Sequence, residues 1–153
     1  MRPILYTLLL TAACSMPMLP VHAKVGDVLP IPHIVNTPTG AAPFQLNREL
    51  TLTDATQCAL LQDFLTTHGC TLKEGATAQV RVQLVESIAA AHDYALAAFD
   101  NEAYQLQVSE NEILITAVTP TGVIRATQTL VQLAEGYDTA GQTAQIEAVN
   151  ITD

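Results

Sequence analysis

The chain has 153 residues, with six Lys and Arg against fifteen Asp and Glu and a formal net charge of −9 at pH 7. That length holds one domain with a modest core. So acidic a surface, with no basic cluster and no interleaving of aromatic and basic residues, excludes nucleic acid and anionic membranes as partners.

The first 23 residues read as a targeting signal rather than as fold. Arg2 is the lone basic residue, Ile4 to Ala13 is an apolar run, and Val21-His22-Ala23 fits a small-residue cleavage site before Lys24. The run falls short of the ~20 residues a permanent span needs, so no membrane span is expected. Leu10-Thr11-Ala12-Ala13-Cys14 offers a second reading as a loose lipobox, with a lipid anchor at Cys14, although Thr is unusual at the third position before Cys. Either reading makes the protein exported, to the periplasm or the outer envelope. Cleavage after Ala23 leaves 130 residues with five basic and fifteen acidic side chains, a charge of −10, which we read as solubility.

Residues 24–43 form an extended lead-in, in which Val28 to Val35 (VLPIPHIV) carries two prolines and suits a sheet edge or a linker. Thr37-Pro38-Thr39-Gly40 is a turn. Residues 44–153 then make a small α+β domain. Phe44-Gln45-Leu46 and Leu50-Thr51-Leu52 give one or two short strands. Asp54 looks like a helix N-cap, and Cys58, Leu61, Phe64 and Leu65 make the buried stripe of a helix running to His68-Gly69. Val80 to Leu84 alternates cleanly as a strand. Residues 86–103 hold no firm stripe and read as a loop with a helical turn around Ser87 to Phe99.

Tyr104 to Leu133 is the most legible stretch. Tyr104, Leu106 and Val108 alternate with Gln105, Gln107 and Ser109, the pattern of a strand with one face buried. Glu110-Asn111 supplies a two-residue turn, where Asn tolerates positive φ. Ile113, Ile115 and Ala117 repeat the alternation, but Leu114 and Val118 make this strand apolar on both faces. That predicts an interior place in the sheet, covered on one side by helices. Pro120-Thr121-Gly122 ends the hairpin. Val123, Ala126, Leu130 and Leu133 fall at helical spacing opposite Arg125, Gln128, Gln132 and Glu135, and Gly136 is a plausible stop. Gln145 to Ile151 reads as a final short strand or an extended exit.

Chemistry-bearing motifs are scarce. Cys58 and Cys70 survive cleavage, and export permits a disulfide. Twelve residues of mostly helix would hold their Cα atoms ~16–18 Å apart, against the ~4.4–6.8 Å a disulfide spans. Cys58 therefore reads as a small core residue and Cys70 as a buried thiol. His33, His68 and His92 are isolated singles without metal-ligand spacing, and read as surface or satisfied histidines. No nucleophile elbow, P-loop, zincin or dinucleotide fingerprint is present. Gly122 before a helix is read as a turn residue rather than as part of an anion site. No cofactor, metal or catalytic residue is expected.

Four segments carry a resemblance: LPIPHIV, NEAYQLQV, the Ile113-x-Ile115 strand and GVIRATQTLVQL (Gly122 to Leu133). Together they resemble the small non-catalytic N-terminal domain of bacterial β-N-acetylhexosaminidases, glycoside hydrolase family 20. The likeness runs from about Leu29 to Asp153, and its most specific element is the Gln-Thr-Leu-x-Gln-Leu end of the helix. Ile146 to Asp153 looks like the family's link into its catalytic barrel. The resemblance implies an α+β fold, with a largely antiparallel four- to five-stranded sheet and two main helices packed on one face.

The family hydrolyses terminal β-N-acetylhexosaminides with an adjacent Asp-Glu pair on a (β/α)8 barrel. Its Glu acts as general acid, and its Asp orients the acetamido group of the substrate. This chain has no Asp-Glu dipeptide. Its nearest clusters, Asp100-Asn101-Glu102 and Glu110-Asn111-Glu112, read as surface charge. A barrel needs ~250 residues, so the resemblance implies the domain before a barrel, inactive alone, with the barrel absent here. Its partner would be that barrel, in cis or in trans. A stand-alone glycan-binding module of the envelope is the alternative, although the chain has no Trp and few other aromatics to form a sugar platform.

Overall fold

The computed structural model describes residues 28–54, 58–88, 101–134 and 144–153. Residues 1–27, on which the expected targeting signal and Cys14 fall, the stretch 89–100 with His92, Tyr94 and Phe99, and the positions of Gly136 and Tyr137 lie outside the described residues. Elements follow in the order β1 (Ile34–Asn36), β2 (Phe44–Gln45), β3 (Glu49–Thr53), α1 (Ala59–Thr67), β4 (Thr71–Leu72), β5 (Ala78–Leu84), β6 (Tyr104–Val108), β7 (Glu112–Ala117), α2 (Pro120–Ala134), β8 (Gln145–Ile146) and β9 (Val149–Thr152).

The fold is α+β, and its main sheet is larger than expected. Seven strands run β1-β9-β6-β7-β5-β3-β4, while β2 and β8 pair as a separate ribbon. Antiparallel pairings join β1, β9, β6 and β7, whereas β7, β5, β3 and β4 are parallel. With the ribbon counted, antiparallel pairings outnumber parallel ones four to three. The additional strands are short. Thr71-Leu72 is exposed at both residues, so β4 leaves no burial pattern to read. Gln145 to Ile151 splits into β8 and β9, and β1 emerges from the lead-in as an edge strand.

Register explains the core. Residues paired across neighbouring strands share a face. Ile151, Leu106, Ile115 and Val82 make one continuous apolar row, and Val149, Val108, Ile113 and Val80 make the next. All eight are buried. Helix α2 lies over β6 and β7, with α1 beside it, and both feed one cluster through Leu61, Phe64, Leu65, Val123, Ala126, Leu130 and Leu133. β7 sits between β6 and β5, the interior place its two apolar faces predict.

Two local expectations need correction. Helix α1 starts at Ala59 with Cys58 at the N-cap position, not at Asp54. Asp54 has φ of 60°, in the left-handed region, whereas an N-cap needs extended backbone. Helix α2 begins at Pro120, so Pro120-Thr121-Gly122 is its first turn rather than a break before it. Proline suits that place, because the first N–H of a helix lacks an intrahelical acceptor anyway. Thr119 caps the turn: its carbonyl accepts from Val123 N–H at 3.3 Å, and its hydroxyl oxygen from Gly122 N–H at 3.4 Å.

Candidate functional site

Acid–base chemistry needs carboxylates free to exchange protons beside a substrate. In the two acidic clusters, Glu102 and Glu112 are held by neighbours. Glu102 accepts from Arg125 Nε at 2.8 Å, and the Asn101 carbonyl accepts from the Thr119 hydroxyl, which ties the first cluster to the start of α2. The Glu102 carboxylate in turn raises the pKa of Arg125. Glu112, on β7, lies 3.4 Å from Arg81 of β5. Glu110 and Asn111 form the β6–β7 bend, which closes by a hydrogen bond from Ser109 N–H to the Glu112 carbonyl. Arg48 donates to the Glu110 carbonyl and to Asn111 Oδ1, both at 3.2 Å, with its guanidinium 5.6 Å over the Phe44 ring. The two clusters thus lie at different places in the fold, each fastened to a cation.

The thiols and imidazoles are equally settled. Cys58 and Cys70 are free and buried. Cys58 Sγ lies 3.8 Å from Thr127 Oγ1, whose proton goes to the Val123 carbonyl at 2.8 Å. Burial pushes the Cys70 thiol up, against the opposing pull of the Asn47 and Arg48 backbone N–H groups. A neutral buried thiol is a poor nucleophile. His68 closes α1 with Nδ1 2.8 Å from the Phe64 carbonyl and its ring tilted against Phe64. His33 Nδ1 meets Asp153 Oδ1 at 2.7 Å, which joins the residue before β1 to the residue after β9. Among the described residues no group of three or more His, Cys, Asp and Glu is placed to hold a metal ion, and no helix is long and apolar enough to cross a membrane.

What remains is surface. The sheet face away from the helices is mostly polar: Asn36, Asn150, Gln107, Leu114, Arg81 and Thr53 form one row, and Ile34, Thr152, Gln105, Thr116 and Gln83 the next. The aromatics among the described residues (Phe44, Phe64 and Tyr104) are all buried, so none offers a stacking platform there. Leu29 and Ile31 stand out as 69% and 75% exposed. The Leu29 backbone is clamped to α2: the Gln132 amide accepts from Leu29 N–H at 2.8 Å and donates to the Leu29 carbonyl at 2.9 Å. The lone sequence signal for this clamp was Gln132 itself, which the helical period places on a polar stripe without naming its partner.

A family model described as "Glycosyl hydrolase family 20, domain 2" matches residues 26–153. The chain belongs to glycosyl hydrolase family 20. Solved structures of family 20 enzymes share the fold of this domain. One is an exo-β-N-acetylglucosaminidase from Vibrio harveyi, with 24% identity, 87% of this chain and 20% of that chain covered, and a TM-score of 0.57. A second is the β-N-acetylhexosaminidase of Streptomyces coelicolor, at 22% identity, 85% and 26% coverage and a TM-score of 0.58. The β-hexosaminidase of Streptomyces plicatus is similar at 20% identity, 85% and 26% coverage and a TM-score of 0.59. Among curated protein sequences no relative matches. The chain covers only a fifth to about a quarter of these solved structures, so the family 20 domain described here corresponds to one part of them.

Proposed function

We propose that this family 20 domain is the non-catalytic, supporting part of an exported β-N-acetylhexosaminidase. It would work by packing against a (β/α)8 glycosidase barrel, carried in the same polypeptide or encoded separately. The observation that carries the reading is the match to domain 2 of family 20 over residues 26–153. The engagement of Glu102 and Glu112 by Arg125 and Arg81 supports it, because each carboxylate is turned to a neighbouring guanidinium rather than presented to a substrate. Export rests on the pattern of Arg2, the apolar run and Val21-His22-Ala23.

Three measurements test this. Purified residues 24–153 are expected to leave a chromogenic N-acetyl-β-glucosaminide intact; turnover above the buffer blank would overturn the non-catalytic reading. The same polypeptide, mixed with a family 20 barrel prepared without its own small domain, is expected to raise the barrel's melting temperature. An unchanged melt at saturating concentration would sink the supporting role while leaving the first result intact. Titration with N-acetylglucosamine oligomers is expected to give no millimolar binding, consistent with the burial of Phe44, Phe64 and Tyr104.

A further inference from the structure

We draw no further inference here: the strongest candidate, the exposed Leu29 and Ile31 pair on the lead-in to β1, where Gln132 of α2 binds the Leu29 backbone, is an apolar patch for which nothing in the structure shows what covers it.

Discussion

At Gly122 an added Cβ would sit 2.6 Å from the Ala103 carbonyl oxygen and 3.0 Å from Ala117 Cβ. The first of these is backbone and cannot swing aside, so the close approach of α2 to the start of β6 is what requires glycine here. Gly122→Ala gains about 1 kcal/mol of helix propensity and loses about 1–3 kcal/mol to overpacking. The expected outcome is net destabilisation, read as a lower urea midpoint at unchanged slope; a variant as stable as the parent would mean that α2 is free to move away. Tyr104 couples burial to pH instead. Its hydroxyl meets Thr129 Oγ1 at 2.7 Å. Burial pushes its pKa up to about 12, with the Thr129 hydrogen bond pulling down and the Asp153 charge adding to the rise. The folded state thus favours the neutral phenol. Stability from Tyr104 is complete below pH ~10, the unfolded value, and is lost as pH rises from there to about 12. A gap of that size corresponds to about 3 kcal/mol. Tyr104→Phe removes the titration and one hydrogen bond worth about 1 kcal/mol. The parent should therefore be the more stable protein below pH 10, and the order should reverse towards pH 12. A difference between the two melts that stayed constant from pH 9 to pH 12 would rule this out.

Helix α2 organises the molecule in both directions, inward through Val123, Ala126, Leu130 and Leu133 and outward through its grip on the lead-in. Because Gln132 serves both polar groups of Leu29, as a neighbouring strand would, Gln132→Ala should free that backbone without unpacking the helix. Amide exchange at Leu29 is expected to quicken roughly fivefold, the equivalent of about 1 kcal/mol, while the Leu130 amide stays as protected as before. Equal loss at both positions would mean that the clamp supports the whole helix. Elements of this kind were legible where one residue spacing had one meaning. The alternation in β6 and β7 and the apolar stripe of α2 are read from the chain as they stand in the fold. So is the interior place of β7, because Leu114 on the open face needs neighbours on both sides. Partners were not legible. Alternation tells which face is buried, but nothing in Val80 to Leu84 says that β5 runs parallel to both β3 and β7. Asp54 misled because the same short polar side chain that caps helices also tolerates the left-handed backbone it adopts here. The candidate site follows the same logic. Family membership was readable from the Gln-Thr-Leu-x-Gln-Leu end of α2, whereas the clamp on Leu29 joins residues 103 apart in sequence.

At the scale of the whole molecule the two ends of the domain hold each other. Among the described residues β1 pairs only with β9, and β9 fills the place between β1 and β6. The His33–Asp153 contact and the reciprocal Tyr104–Asp153 backbone hydrogen bonds, at 2.8 and 3.0 Å, extend that seam by one residue. β8 similarly closes the ribbon with β2, next to the hydrogen bond from Leu46 N–H to the Ala144 carbonyl. A chain of residues 28–143 would therefore lose more than its last strands. Ile146, Val149 and Ile151 are all essentially inaccessible to water. At roughly 1.5–3 kcal/mol for each side chain of this size, their removal forfeits about 5–9 kcal/mol. That is comparable with the ~5–15 kcal/mol by which a whole domain is stable. It also strips β1 of its partner and leaves β6 as a bare apolar edge open to pairing with other chains. Residues 28–153 are thus expected to melt in one cooperative transition, and residues 28–143 to show none and to aggregate. A cooperative melt for the shorter chain would show that α2 and the β5–β7 sheet suffice alone, and the seam between β1 and β9 would then be an addition to the fold rather than a condition of it.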